Sequence, residues 1–317
     1  MFQKQPMMRK VLHALAPITA FSVYLYGPRV LAVLAVSLAA ATLTEYLFKR
    51  TGKGKVSEAV LVTATLFALS MPPAAPLWIV ALGVSFAVFM AKEAYGGFGR
   101  NIFNPAIAGR LFVYISFAGV LGSSFYPAGA FGQAAGSLFG RPDAVAAATP
   151  LAQLASGAGV PLLGLITGVR TGAIGESSAV LIALAAVYLV ATKTAQWRLL
   201  VATLAGGAGL AGLLLVAGVE RALPMQSLLA GSFLFVAVFM ATDPVSAPKK
   251  KGAQWAYGLL IGATAVTIRS FSLFPEGTSF AVLIGNTFAS LFDRLATRAK
   301  AAPASGGGAD AAQGGTR

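Results

Sequence analysis

The stretch Phe239-Met-Ala-Thr-Asp-Pro-Val-Ser-Ala-Pro248 ends an apolar segment on a Thr-Asp-Pro turn, and three lysines follow it at once. An earlier stretch, Phe67-Ala-Leu-Ser-Met-Pro-Pro-Ala-Ala-Pro76, has the same order of Phe, hydroxyl residue, Pro and Ala-Pro. Two apolar helices broken at matched positions in the two halves of a chain indicate a transporter-like site near the middle of a membrane. Chance similarity between two Ala- and Pro-rich helix ends is the alternative interpretation.

The composition is that of a polytopic membrane protein. The 317 residues are 57% hydrophobic and only 11% charged, whereas a soluble domain has about 25% charged residues. A membrane helix needs about 20 apolar residues. The apolar runs predict ten spans, at 11–27, 28–47, 57–71, 76–95, 104–121, 160–191 with an irregular start, 197–218, 226–241, 254–271 and 278–292.

The two proline motifs end the third and eighth spans, which lie five spans apart. Because an odd separation reverses the direction through the membrane, the two copies are expected to be inverted. The sequence therefore predicts an all-α fold with two inverted five-helix repeats, residues 11–121 and 160–292. Residues 1–300 are expected to form a single membrane domain with an outer segment at 122–160, and residues 301–317 a disordered tail rich in Ala and Gly.

The net charge of +14 follows from membrane orientation. With both termini in the cytoplasm, alternation through the spans places most lysines and arginines on the cytoplasmic side of the lipid bilayer. The outer side then keeps only Arg29, Arg141, Arg170, Arg221 and Arg269. The positive-inside rule explains this asymmetry, and no nucleic acid partner is expected.

The chain has one His and no Cys. It supplies no thiolate for an iron–sulfur cluster, and a lone His cannot complete a metal site of three or four ligands. No metal site is predicted.

The segment Tyr95–Arg110 has glycines that permit a tight turn, followed by a strong helix start. Asn104 can cap the helix and Pro105 fits its first turn. An ordinary capped loop is one interpretation. A polar nest facing a cavity is the other, with Asn101, Asn104 and Arg110 as binding residues, because irregular membrane backbone is tolerated where it lines a cavity.

Two further segments carry candidate binding residues. Gly168–Ser178 is a glycine-rich loop before a helix, which favours either anion binding or close helix packing, with Gly172, Glu176 and Ser177 as candidates. Thr242 and Asp243 form either a simple helix stop or a carboxylate that lines a cofactor or ion path.

Several of these segments resemble those of the RnfD/NqrB family, the membrane flavoprotein subunits of Rnf complexes and of the Na⁺-translocating NADH:quinone reductase. The specific matches are Gly96-Gly97, Asn101-Ile-Phe-Asn-Pro-Ala106 and Met240-Ala-Thr-Asp-Pro-Val245, which occur in the family's order. The resemblance covers most of the chain, whose length is closer to the RnfD type. It implies a fold similar to urea and ammonium channels.

The resemblance also implies FMN joined by a phosphoester to a Thr in an Asp-x-x-Ser/Thr-Gly-Ala-Thr motif, attached on the outer side by a flavin transferase. Asp143, Ala148 and the acceptor Thr149 match this motif, whereas Ala146 and Ala147 replace its hydroxyl residue and its Gly. The family further holds a second, noncovalent flavin, riboflavin, between the helices.

The implied function is that of a membrane flavoprotein subunit in an Rnf/Nqr-like complex of the bacterial inner membrane. Such a subunit relays electrons through FMN between partner subunits, is not catalytic alone, and belongs to a complex that moves Na⁺ or H⁺. A flavin-free transporter or channel of the same fold is the leading alternative. An electron-transfer subunit that does not pump ions is another.

The orientation predicts which positions an impermeant reagent can reach. A cysteine at Ala148 is expected to react with a membrane-impermeant thiol reagent added to intact spheroplasts, because the charge distribution places this residue outside. A cysteine at Gly252, beside three lysines, is expected to react only after the membrane is opened. The chain has no native Cys, so labelling reports only the introduced thiol. The reverse pattern would show that the orientation is inverted.

Overall fold

The computed structural model describes residues 2–51, 54–128, 148–157, 159–176, 178–220, 222–272 and 277–301. Asp143, Ser177, residues 129–147 of the predicted outer segment and residues 302–317 of the predicted tail lie outside the described residues. The described helices of the first half are α1 (Pro6–Tyr26), α2 (Arg29–Thr51), α3 (Ala59–Leu69), α4 (Leu77–Ala91), α5 (Pro105–Ser116) and α6 (Ala118–Gly122).

The second half is also helical in the residues that the structure describes. Its helices are α7 (Pro150–Ala155), α8 (Leu162–Thr167), α9 (Ala179–Ala191), α10 (Trp197–Val216), α11 (Pro224–Leu229), α12 (Phe233–Phe239), α13 (Lys251–Phe271) and α14 (Gly277–Ala301). Within the described part of the chain, three helical segments are long and apolar enough to cross a membrane: Arg29–Arg50, Leu77–Tyr95 and Trp197–Val216. The all-α membrane class is confirmed, whereas the number of spans stays a prediction.

Both proline motifs end a helix, as predicted. Helix α3 stops at Leu69, before Pro72, and α12 stops at Phe239, before Pro244. Proline cannot donate the amide hydrogen bond that would continue a helix, and its ring pushes the preceding residue out of helical geometry. The two spans are therefore only half-length helices.

Glycine turns divide two of the predicted spans. The irregular start predicted for 160–191 is confirmed, whereas the prediction of a continuous span at 226–241 is wrong. The span 160–191 is split into α8 and α9, and 226–241 is split into α11 and α12. Gly168 has φ +92° just after α8, and Gly231 has φ +63° just before α12. Glycine adopts this left-handed conformation without the steric penalty of other residues, so the chain turns at both positions.

The bundle has two ends, which are named here after a residue at each. Helix α2 has 23 residues and is therefore about 34 Å long. Arg29 is the first residue of α2. Near the other end of α2, Glu45 binds Lys92. The end that carries Arg29 is called the Arg29 end, and the opposite one the Lys92 end.

The two broken helices point to opposite ends of the bundle. After α3 the chain reaches the Arg29 end, where Arg29 Nη2 donates to the Ala75 carbonyl at 2.9 Å. After α12 the chain reaches the Lys92 end, where Asp243 and Lys92 line the same cavity.

Each half supplies a hydrogen-bond partner for the break in the other half. The amide of Ile174, in the second half, donates to the Met71 carbonyl after α3 at 3.0 Å. The side-chain amide of Asn104, in the first half, donates to the Met240 carbonyl after α12 at 3.5 Å. Backbone groups released by the two breaks are thus bound across the interface between the halves.

The order of helix neighbours is also the same in both halves. In the first half α2 packs on α4 and α4 on α5, while α1 contacts α3. In the second half α10 packs on α13 and α13 on α14, while α9 contacts α12. The equivalent helices α1 and α9 contact each other, as do α5 and α14.

Helices α10 and α13 approach closely enough that only glycine fits between them. A methyl group at Gly262 would overlap the Thr203 carbonyl oxygen and the Gly207 nitrogen, both on the backbone of α10. Gly258 and Gly262 form a Gly-x-x-x-Gly pair on α13. Such small-residue pairs let membrane helices make close backbone contact.

Gly262→Ala is expected to destabilise the protein by about 1–3 kcal/mol, because the methyl group meets backbone that cannot yield. The measurement is thermal unfolding of the purified protein in detergent. Gly209→Ala is the matched control, because a methyl group at Gly209 on α10 would meet no described atom within 4 Å. Equal melting temperatures for the two variants would contradict the close α10–α13 packing.

Candidate functional site

A cavity of about 660 Å³ lies between the two halves at the Lys92 end and is open on one side. Its wall combines α1, α3, the start of α5 and the end of α9 with the turn Thr242–Val245. Apolar side chains such as Leu66, Phe98 and Phe239 form much of the lining. It is called the Lys92-end cavity.

Asn104 joins the start of α5 to the Thr-Asp-Pro turn. Its Oδ1 accepts hydrogen bonds from the amides of Ala106 at 3.0 Å and Ile107 at 3.3 Å, which confirms the predicted helix cap. Its Nδ2 donates to Asp243 Oδ2 at 3.3 Å. The same side chain therefore begins one helix and fixes the carboxylate that follows another.

The Asp243 carboxylate is half-buried and held on both oxygens. Oδ1 accepts from the Val245 amide at 3.1 Å, and Oδ2 also accepts from Ser246 Oγ at 2.9 Å. These bonds shape the Asp-Pro-Val-Ser turn and offset part of the cost of burying a charge. Asp243 thus forms the turn and also lines the cavity, whereas its role along a cofactor or ion path stays a prediction.

Asn286 extends this network into α13 and α14. Its Oδ1 accepts from the Asn104 amide at 3.0 Å, and its Nδ2 donates to the Tyr257 hydroxyl at 2.7 Å. Asn286 and Tyr257 are both buried. The polar network therefore crosses from the first half into the second, and no motif in the sequence had marked either residue.

Thr242 and Asn101 also line the cavity, but their side chains bind nearby backbone. Thr242 Oγ1 donates to the Val238 carbonyl at 2.5 Å, and Asn101 Nδ2 donates to the Phe103 carbonyl at 3.0 Å. Both residues are buried. They shape the wall of the cavity by holding the ends of its loops.

Arg110 and Glu176 form a separate buried ion pair between the halves. Arg110 Nη2 lies 3.3 Å from Glu176 Oε1, and the two side chains are 1% and 7% exposed. Glu176 Oε2 accepts from the Ala173 amide at 3.4 Å, and Gly172 lies beside the same carboxylate. The amide of Ala173 in the glycine-rich loop is therefore bound by the chain's own carboxylate.

Thr149 lies at the other end of the bundle. Its hydroxyl caps α7 by accepting from the Ala152 amide at 3.3 Å, and the residue is half-buried. Ala148 and Pro150 line a second open cavity of about 600 Å³ together with Gln153 and Arg170. This is called the Arg29-end cavity, because the Arg170 carbonyl accepts from Tyr26, which precedes Arg29 by three residues.

The predicted site residues thus fall into three groups. One lines the Lys92-end cavity (Asn101, Asn104, Thr242 and Asp243), one surrounds the buried ion pair (Arg110, Gly172 and Glu176), and one lies at the Arg29-end cavity (Ala148 and Thr149). Asp143 and Ser177 lie outside the described residues. Sequence reasoning missed Glu45, although an ionisable residue inside a predicted span is itself a functional signal.

A bundle of apolar helices, broken at matched motifs and with a cavity at each end, defines a helical membrane protein. The chain belongs to the NQR2, RnfD, RnfE family, which it matches over residues 2–302. This membership confirms the resemblance carried by the Asn-Pro and Thr-Asp-Pro motifs.

Several relatives are NqrB-type subunits of a Na(+)-translocating NADH-quinone reductase. The chain is 40% identical over 273 residues to that of Klebsiella pneumoniae subsp. pneumoniae, covering 80% of this chain and 63% of the relative. It is 37% identical over 282 residues to that of Azotobacter vinelandii, covering 85% of this chain and 67% of the relative. It is 38% identical over 285 residues to that of Pseudoalteromonas atlantica, covering 86% of this chain and 68% of the relative. The chain therefore spans less than two thirds of the Klebsiella protein.

Asp243→Asn is expected to leave membrane insertion intact, because the carboxylate is at a helix end and Asn keeps its size. Electron transfer or ion coupling, measured in membranes of cells that express the full complex, is expected to be impaired. Glu220→Gln is the matched control, since this carboxylate binds Ser270 away from the Lys92-end cavity. Wild-type turnover and coupling in Asp243→Asn would reduce the Thr-Asp-Pro turn to a helix stop.

Proposed function

We propose that this chain is a membrane flavoprotein subunit of an Rnf/Nqr-like electron transport complex. It relays electrons through covalent FMN on Thr149, and the complex couples this transfer to the movement of Na⁺ or H⁺. The observation that carries the proposal is the half-buried Thr149 hydroxyl beside the Arg29-end cavity. Membership of the family supports it.

The surroundings of Thr149 fit an FMN phosphoester. Thr149 is a half-buried residue, and α7 uses its hydroxyl only as an acceptor, a role that an ester oxygen can keep. Arg170 is the one charged residue among the described residues that line the neighbouring cavity, so it supplies positive charge for a phosphate. FMN, when bound, supplies the electron-carrying chemistry that the side chains lack.

The Lys92-end cavity fits the second, noncovalent flavin that the resemblance implies. Phe98 and Phe239 supply apolar surface for a planar ring, while Asn101, Asn104 and Asp243 supply polar groups around it. A mostly apolar pocket with a few placed polar groups is typical of cofactor sites. Riboflavin is the proposed ligand, so the chain carries a flavin site at each end of its bundle.

The proposed architecture has ten spans in two inverted repeats, similar to urea and ammonium channels. The reciprocal partners of the two breaks and the repeated order of helix neighbours support it. Residues 1–300 form a single domain in the bacterial inner membrane. The Lys92 end and both termini lie in the cytoplasm, in agreement with the positive-inside rule, and Thr149 lies outside.

Electrons must enter and leave through partner proteins. The proposed partners are the other membrane and peripheral subunits of the complex, together with a flavin transferase that attaches FMN. The subunit alone is not catalytic in this scheme. A flavin-free transporter or channel of the same fold is the competing function, and the replacement of two motif residues by Ala146 and Ala147 favours it.

FMN is expected on the Thr149 peptide when the protein is expressed with its own flavin transferase, because Thr149 offers an accessible hydroxyl beside a cavity. The measurements are in-gel fluorescence of the denatured protein and mass spectrometry of the peptide. Thr149→Ala should abolish both signals, because no oxygen remains to carry the ester.

Thr171→Ala is the control, since Thr171 lies in the wall of the same cavity outside the acceptor motif. It should leave the attachment of FMN intact. If the wild-type peptide stays unmodified under these conditions, the flavin-free transporter or channel becomes the favoured function.

A further inference from the structure

A buried ion pair at the Lys92 end joins α2 to the end of α4. Lys92 Nζ lies 2.6 Å from Glu45 Oε2 and donates to Ser57 Oγ at 2.7 Å. The two charged side chains are 2% and 0% exposed. Both lie within apolar segments that are long enough to cross a membrane.

The ion pair is firmly held. Ser57 donates to Glu45 Oε1 through its amide at 2.9 Å and through its hydroxyl at 2.8 Å. The hydroxyl of Ser57 therefore binds both members of the pair, and the short strand β2 (Val56–Ser57) fixes the residue by pairing with β1 (Phe2–Gln3). The Lys92 side chain cannot turn away without breaking its bonds to Glu45 and Ser57.

Stability alone does not account for this pair. Removing two charges from water is costly, and well-packed apolar residues in place of a buried ion pair are often equally or more stabilising. Ionisable residues inside membrane segments usually serve a function.

Lys92 reaches the wall of the Lys92-end cavity. Among the described residues that line it, Lys92 is the one cation and Asp243 the one anion. The neighbouring ion pairs Lys49–Glu93 and Arg9–Glu58 contribute no charged side chain to the lining. The charge that a bound ring would meet on this side is therefore that of Lys92, balanced from behind by Glu45.

We propose that the Glu45–Lys92 pair sets the reduction potential of the noncovalent flavin in the Lys92-end cavity. This inference rests on the proposed function, because it requires a flavin there. A fixed positive charge favours electrons added to the ring, and the buried carboxylate behind it limits that effect. Both charges of the pair are buried, so solvent screens this effect less than it would at an exposed site.

Three variants test this balance of charges. Lys92→Met leaves only the negative charge of the pair, on Glu45, and should lower the midpoint potential of the flavin. Glu45→Gln leaves only the positive charge and should raise it, while the double variant should return close to the wild-type value. A merely structural role predicts no such pair of opposite shifts.

The protein for the test is the full chain in nanodiscs with Thr149→Ala, so that only noncovalent flavin contributes. The midpoint potential of the flavin is measured by spectroelectrochemical titration with dithionite. Dithionite is oxidised to sulfite and supplies two electrons to the flavin, which takes up protons from water. Lys49→Met is the matched control, because it removes a nearby cation that lies outside the cavity wall. Its shift should be smaller than that of Lys92→Met.

The outcomes distinguish the presence of the second flavin from the role of the Glu45–Lys92 pair. If the Thr149→Ala protein releases no flavin on denaturation, the proposed second flavin fails and this inference fails with it. If flavin is bound but the shifts are absent or of the same sign, only the role of the ion pair is overturned. Should Lys92→Met not fold, the near-isosteric Glu45→Gln still decides, because an unchanged or lowered potential contradicts the proposal.

Discussion

A helix that ends inside a membrane leaves backbone groups that lipid cannot satisfy, and this fold depends on finding partners for them within the chain. The break after α3 is bound by Ile174 from the second half, and the break after α12 by Asn104 from the first half. The same hydrogen bonds therefore close both helices and hold the two halves together.

The charges at the Arg29 end serve the same constraint. Arg29 donates to the Ala75 carbonyl, Arg170 to those of Leu229 and Glu176, and Arg269 to those of Ser227 and Ala230. These carbonyls lie where the chain is not helical or where a helix ends. Three of the five arginines that the sequence predicts on the outer side are thus structural.

The Lys92 end uses its buried charges differently. Lys92 and Asp243 both reach a cavity, and each is fixed by neighbours that satisfy it. Thr149 lies beside another cavity at the opposite end. The two cavities are thus separated along the bundle, and the Arg110–Glu176 pair lies between the halves.

The sequence alone determined the features that depend on a few consecutive residues. Proline positions predicted where α3 and α12 end, and Asn104-Pro105 predicted the start of α5, because capping and φ restriction act within one helical turn. Hydropathy predicted the membrane class, and the two local motifs predicted the family.

Only the tertiary structure decided which side chains meet. The Asn104–Asp243, Arg110–Glu176 and Glu45–Lys92 pairs join positions 139, 66 and 47 residues apart. No hydrophobic period encodes such pairings, since they follow from how the helices pack against one another. The turn at Gly231, which splits the predicted span 226–241, was also hidden, because glycine permits a left-handed turn without requiring it.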